Sequence, residues 1–171
     1  LKQILLNNIL IKKIYVINNG CMPLDKYIQD EKVEILNPGR NLGWEGGLKL
    51  GLEKSDAPNV VFMNDDLFIP ISSYFWLDNL LGTFSDPDVA AAGPTSNVVA
   101  GLQSIFHPAR PLMVSEVSYL IGFCMLVRRS MLDTVGGVDD TLPGGDDFDL
   151  SIRFRQAGYK LVIEPKTFIW H

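Results

Sequence analysis

Short apolar runs along the chain stop at clusters of Asn, Asp, Gly and Pro, and they alternate with segments whose apolar positions recur at helical spacing. Leu1–Asn8 reads as the tail of a helix. Lys13–Ile17 is a β-rich run that stops at Asn18-Asn19-Gly20, and Val33–Leu36 is a short strand ended by Asn37-Pro38-Gly39. Trp44–Ser55 is helical in pattern, with Leu48 and Leu52 one turn apart. Asn59–Met63 is a buried strand that ends at Asn64-Asp65-Asp66. Ser72–Phe84 reads as an aromatic-rich helix, Asp88–Ala92 as a strand stopped by Gly93-Pro94, and Ser118–Val127 as a long apolar strand. A short helix over Ser130–Val135 has Gly136 at its end, a second over Asp147–Ala157 is closed by Gly158, and Tyr159–Ile163 is a strand. Strands alternating with helices predict a layered α/β domain with a mostly parallel sheet. Ligands of such sheets bind at the carboxyl ends of strands, and two of the polar clusters fall there, after Ile17 and after Met63.

Composition sharpens this picture. A chain of 171 residues with 47% apolar residues can bury one core and is too short for two ordinary domains. We therefore expect a single domain over 1–171. Lys and Arg total 15 against 20 Asp and Glu, a formal charge of −5, which argues against nucleic acid as a partner. An anionic ligand held by a metal and backbone N–H groups stays compatible with that charge. The longest apolar stretch, Tyr119–Val127, is too short to span a bilayer, and the amphipathic start lacks the pattern of a signal peptide. The two cysteines, Cys21 and Cys124, form no CxxC pattern, which fits a reducing compartment and offers no thiolate metal site.

Four clusters carry candidate chemistry, each beside a plainer reading. Asn64-Asp65-Asp66 places two carboxylates at a strand end; they are either a solvated turn or ligands of a hard cation such as Mg²⁺ or Mn²⁺, which takes its remaining ligands from phosphate and water. Gly144-Gly145-Asp146-Asp147-Phe148-Asp149-Leu150 crowds three acids at a helix start. The dipole and capping favour acids there, while a carboxylate among other carboxylates has a raised pKa and serves as a base near neutral pH. Asn37-Pro38-Gly39-Arg40-Asn41-Leu42-Gly43-Trp44-Glu45-Gly46-Gly47 joins glycines to a helix start that could meet phosphate. It matches no nucleotide-binding fingerprint, and Gly47 and Gly51 read as close helix–sheet packing. His171 reads as a metal ligand or a frayed end. His107 lies in a Pro-rich loop and receives no catalytic role. No Ser/His/Asp arrangement or nucleophile elbow is present.

Taken in order, these segments resemble the family-two glycosyltransferases, inverting enzymes that use nucleotide-diphospho-sugars. The resemblance spans essentially the whole chain. Ile14-Tyr15-Val16-Ile17-Asn18-Asn19-Gly20 looks like the family's second strand and its turn, and Asn41-Leu42-Gly43-Trp44-Glu45-Gly46-Gly47 like its Asn-x-Gly-aromatic-x-Gly-Gly segment. Phe62-Met63-Asn64-Asp65-Asp66 occupies the place of its D-x-D, here with Asn first. Gly122–Arg129 is similar to the strand before the acceptor site, and Val135-Gly136-Gly137-Val138-Asp139 with Gly145-Asp146-Asp147-Phe148-Asp149-Leu150 resembles its GG-x-D-E … G-E-D-x-D-L run. The rhamnosyltransferase-like branch looks nearest.

The resemblance implies a three-layer α/β/α domain of the GT-A type, with a nucleotide-binding half over about 1–66 and an acceptor and catalytic half over about 67–171. It also implies a first strand that the sequence lacks. It assigns Asn18, Asn19, Arg40, Asn41 and Gly43 to the nucleotide, Asp66 and His171 to Mn²⁺ or Mg²⁺ with Asn64 or Asp65 assisting, and Asp147 to the general base beside Asp146. It implies a UDP- or dTDP-linked sugar donor and a glycan or lipid-linked acceptor, as in bacterial surface polysaccharide assembly, in a cytoplasmic domain at or near the inner face of a membrane. Two other functions use similar layouts: a nucleotide-sugar-binding module without turnover, and a metal-dependent nucleotidyltransferase, which would release pyrophosphate.

Overall fold

The computed structural model describes Ile4, Leu24 and residues 10–20 and 28–171. The expected helix tail over Leu1–Asn8 lies, apart from Ile4, outside the described residues, as does Cys21. Two strands, β1 (Ile14–Ile17) and β2 (Val33–Leu36), pair in parallel as a small sheet. Helix α1 (Gly43–Lys54) packs on β1, where the Cβ positions of Gly47 and Gly51 lie 3.6 and 3.7 Å from the Ile17 side chain, so both glycines are packing residues.

The main sheet has five strands in the order β3-β6-β4-β7-β5. These are β3 (Asn59–Met63), β4 (Val89–Thr95), β5 (Ser115–Val117), β6 (Cys124–Arg128) and β7 (Lys160–Phe168). Helix α2 (Trp76–Gly82), flanked by single 3₁₀ turns over Ile71–Ser73 and Thr83–Ser85, covers one face. Helices α3 (Arg129–Thr134) and α4 (Asp146–Gln156), with Leu52 of α1, cover the other. The period of two along the strands feeds both layers: Met125, Val127, Leu161 and Ile163 point to the α3/α4 side, and Cys124, Leu126 and Val162 join Trp76, Leu77 and Leu80 on the α2 side. This is the expected three-layer arrangement.

The expectation of a mostly parallel sheet is corrected. β6 runs antiparallel to both β3 and β4, β5 runs antiparallel to β7, and only β4–β7 and the small β1–β2 pair are parallel. Strands covered on both faces are continuously apolar whichever way they run, so Val89-Ala90-Ala91-Ala92 and Cys124-Met125-Leu126-Val127 carry no directional signal.

Four boundaries also differ from the expected ones, the first being β7, which runs on to Phe168 past the expected end at Ile163. The Ser118–Val127 run is a strand only in its second part, because β5 already ends at Val117 and β6 starts only at Cys124. The Ser72–Phe84 helix is confined to Trp76–Gly82 between its 3₁₀ turns. Gly93-Pro94 does not end β4. Gly93 is there for close approach, since a Cβ would stand 2.6 Å from Gln103 Nε2 and 3.1 Å from Leu120 Cδ2. Pro94 sits where the β4–β7 ladder slips from Pro94↔Glu164 to Thr95↔Phe168, a bulge that needs no proline N–H.

Candidate active site

Strands β3, β4 and β7 run in one direction, so their carboxyl ends meet at one edge of the sheet. Antiparallel β6 brings its beginning to the same edge: Met63 pairs with Cys124, and the Asn64 N–H donates to the Phe123 carbonyl at 2.9 Å. Beyond β7 the chain continues alongside the ends of β3 and β4. Phe68 and Trp170 exchange backbone hydrogen bonds of 3.1 and 2.9 Å, and the His171 N–H donates to Asn97 Oδ1 at 2.8 Å. The outcome is an open cleft of about 460 Å³. Asn64, Asp65, Asp66 and His171 form one side; Asp146 and Asp147 form another, with Trp44 and the Ile121-Gly122-Phe123 turn between them.

On the first side His171 is the centre. Its ring stacks on Phe123 (5.3 Å between centroids, 19° between planes). Nδ1 lies 3.3 Å from the Val98 carbonyl, which assigns the proton to that nitrogen and leaves Nε2 as an acceptor, 3.2 Å from Asn64 Nδ2 and 3.8 Å from Asp66 Oδ1. No group of three His, Cys, Asp or Glu at metal-holding distance occurs among the described residues. The pair Asp66 and His171 suits a cation of the Mg²⁺ or Mn²⁺ kind, which uses one or two protein ligands and completes its shell with phosphate oxygens and water.

On the other side the glycine-flexed turn feeds α4 without a side-chain cap: Gly144 and Gly145 have φ of 132° and 78°, and Asp146 and Asp147 open the helix. Each Asp147 oxygen accepts a backbone N–H, Oδ1 from Phe148 at 2.8 Å and Oδ2 from Gly122 at 3.0 Å, which fixes the carboxylate's orientation. Asp146 Oδ2 accepts the Trp44 indole N–H at 3.1 Å across 102 positions of sequence. Burial first, then the Asp147 and Glu45 carboxylates, raise the Asp146 carboxyl above its ordinary value, and the Trp44 hydrogen bond opposes them. The third acid, Asp149, lies outside the cleft; it pairs with Arg153 at 2.6 Å, and Arg153 also binds the Val135 and Gly137 carbonyls.

The remaining expected site residues lie apart from this cleft. Asn18 donates to Asn37 Oδ1 at 2.8 Å. Asn19 bridges to the start of α1, accepting the Leu42 N–H at 2.8 Å and donating to the Gly43 carbonyl at 2.7 Å. Asn41 Oδ1 accepts the Gly43 N–H at 2.8 Å, Gly43 takes a φ of 75°, and Arg40 is exposed. These residues shape the loop between β1, β2 and α1. Four cleft residues had no role from the sequence: Trp44, which sits inside the recognised glycine segment, and Ile121, Gly122 and Phe123, which lie within the apolar run before β6. Among the described residues that line the cleft, four are carboxylates and none is Lys or Arg.

The layered fold, with this cleft at the carboxyl ends of its strands, is of the GT-A type. No protein-family model matches the chain. A pre-mycofactocin glycosyltransferase of Mycobacterium tuberculosis is 30% identical over 153 residues, covering 81% of this chain and 32% of that protein, so the chain spans about a third of that relative's length. Among solved structures, GalNAc-T7 with UDP, GalNAc and Mn²⁺ superimposes with a TM-score of 0.77 at 15% identity, covering 94% of this chain and 38% of that one. The mannosyltransferase PcManGT of Pyrobaculum calidifontis with GDP-Man and Mn²⁺ gives 0.74 at 15% identity, covering 98% and 50%. In sequence the chain is thus similar to a glycosyltransferase, and in fold to GT-A structures solved with nucleotide or nucleotide-sugar ligands. No helix among the described residues is long and apolar enough to cross a membrane.

Proposed function

We propose that the chain carries the transfer site of a metal-dependent inverting glycosyltransferase, which moves a sugar from a nucleotide-diphospho-sugar to an acceptor hydroxyl. One observation supports this reading above the others: a cation-type pair, Asp66 and His171, and a carboxylate pair, Asp146 and Asp147, face one cleft with no Lys or Arg among its described lining residues. A diphosphate there needs a metal to balance its charge, and a bound divalent cation neutralises charge on such a leaving group. The GalNAc-T7 and PcManGT structures, both solved with Mn²⁺ and nucleotide ligands, are in keeping with that chemistry.

Asp147 takes the proton of the acceptor hydroxyl. Its two backbone N–H partners hold it in place, and Asp146, held by Trp44, stands beside it. The acceptor oxygen attacks the anomeric carbon opposite the diphosphate, so the new bond has inverted configuration. General-base assistance of this kind is worth about 10²–10⁴ in rate. Asn18, Asn19, Arg40, Asn41 and Gly43 form the loop system that would meet the nucleotide, and a UDP- or dTDP-linked sugar delivered to a glycan or lipid-linked acceptor is the corresponding substrate pair. The test is nucleoside diphosphate release from UDP-, dTDP- and GDP-sugars with Mn²⁺ or Mg²⁺, together with product configuration by NMR. Release of one diphosphate with inversion, lost in Asp147→Asn, is expected. Pyrophosphate release from nucleoside triphosphates in its place would assign a nucleotidyltransferase. Retained configuration would contradict the mechanism.

A further inference from the structure

We infer that Gln103, a buried side chain behind the cleft wall, is a positioning residue for Asp147: it holds the segment whose Gly122 N–H orients that carboxylate. The inference rests on the transferase reading for the role of Asp147.

Gln103 ends the 3₁₀ turn Gly101–Gln103 and is 2% exposed. Both ends of its amide are used. Nε2 donates to the Pro94 carbonyl at 2.9 Å, at the bulge near the end of β4, and Oε1 accepts the Ile121 N–H at 2.6 Å. Its backbone carbonyl accepts the Ser96 N–H at 2.9 Å, which ties the residue a second time to the carboxyl end of β4. Ile121 and Gly122 line the cleft and lie outside both β5 and β6. Three consecutive N–H groups in this segment are taken by side chains. Leu120 donates to Ser151 Oγ at 3.2 Å and Gly122 to Asp147 Oδ2 at 3.0 Å, both acceptors on α4 and one turn apart. Ile121, between them, donates to Gln103.

A buried amide that satisfies two backbone groups needs no role beyond stability. The role of Gln103 follows from where it acts. The Gly122 N–H belongs to the peptide unit that joins Ile121 to Gly122. Glycine is the residue least able to fix its own backbone, and a Cβ on Gly122 would crowd Asp147 Cβ at 3.3 Å. The direction of that N–H therefore depends on what holds Ile121, and Gln103 holds it. The other N–H on Asp147, from Phe148, is its neighbour within α4 and fixes only Oδ1. Oδ2 is thus aimed from outside the helix, through Gly122 and, behind it, Gln103.

Gln103→Met keeps the length and volume of the side chain and removes both amide hydrogen bonds. Amide hydrogen exchange by NMR should quicken by about tenfold or more at Ile121 and Gly122. For nucleoside diphosphate release from UDP-, dTDP- or GDP-sugar with Mn²⁺, kcat should fall by about ten- to hundredfold, as for a misplaced base, with donor KM within about twofold of wild type. In an Asp147→Asn background the same change should cost no further rate, because Gln103 acts through that carboxylate. Gln103→Glu, protonated when buried, offers the same donor and acceptor and should restore most of the rate. Thr83→Ala breaks a buried hydrogen bond to the Leu80 carbonyl; it should lower the melting temperature and leave kcat unchanged, which separates positioning from loss of stability. Should Gln103→Met fail to fold, Gly93→Ala, whose Cβ would stand 2.6 Å from Gln103 Nε2, displaces the amide without removing it and should show the same exchange and kcat changes. An unchanged Gly122 exchange rate, a kcat equal to wild type, or an undiminished effect in Asp147→Asn would overturn the positioning role. A wild type that releases no nucleoside diphosphate would overturn the transferase reading instead, and the exchange measurement would still decide whether Gln103 holds Gly122 on Asp147, so the two failures are separable.

Discussion

Asp146 and Asp147 are adjacent in sequence and chemically identical, yet replacing each with Asn should move stability in opposite directions. Asp147 accepts one backbone N–H on each oxygen, at 2.8 and 3.0 Å. An asparagine has one acceptor oxygen, so Asp147→Asn keeps one of these bonds and turns an NH₂ group toward the other N–H. Leaving such a donor unsatisfied costs about 1–3 kcal/mol, and because the site is part exposed the lower half of that range applies, about 1–2 kcal/mol. For a domain of this size that lowers Tm by roughly 2–8 °C. Asp146 accepts a single side-chain bond, from Trp44, which an amide oxygen can also accept. Its carboxyl is raised by burial and by the neighbouring Asp147 and Glu45 carboxylates, so the ionised form is disfavoured in the fold. The favourable contribution of a raised acid is full below its unfolded pKa and is lost as pH rises through the folded value. Asp146→Asn removes that loss, so its Tm should equal or exceed wild type at pH 7, with the difference shrinking as the pH is lowered through the carboxylate range. Thermal melts by circular dichroism across that range decide the matter. Equal destabilisation by both variants, or a larger loss for Asp146→Asn, would refute the hydrogen-bond assignment.

Trp44→Phe removes the indole N–H that favours ionised Asp146, so the Asp146 carboxyl should titrate at higher pH than in wild type; carboxyl-carbon NMR titration of both proteins checks this. Asp66→Ala and His171→Ala should each weaken Mn²⁺-dependent nucleotide binding by about tenfold or more, read by calorimetry. Asn19→Ala deletes both bonds that tie the β1 turn to the start of α1, and a loss of about 1–2 kcal/mol should appear as a lower Tm.

Much of the layout was legible in the chain. Asn59–Met63 and Val33–Leu36 are strands with the bounds that their apolar runs and flanking turn residues predict, and Gly47 and Gly51 are packing glycines as expected. The Asn64–Asp66 turn, the Asp146-Asp147 pair and His171 converge on one cleft, although they lie far apart in sequence. Strand direction was not legible, because burial on both faces of β4 and β6 erases the alternation that would report it. That direction matters to the site: antiparallel β6 is what places the Gly122 N–H on Asp147 and Phe123 under His171. The Trp44–Asp146 bond spans 102 positions and has no local signal beyond the aromatic residue's place among glycines. Gly93-Pro94 misleads because a glycine required for close approach to Gln103 looks the same in sequence as one required for a turn.

Calorimetric titration of UDP, dTDP and GDP, each with and without Mn²⁺, on wild type and Asp66→Ala tests the proposed donor site most directly. Metal-dependent binding of one nucleotide to wild type, abolished in Asp66→Ala with an unchanged melting temperature, is the expected result. Binding of no nucleotide by folded wild type, or binding that is indifferent to both Mn²⁺ and Asp66, would contradict it.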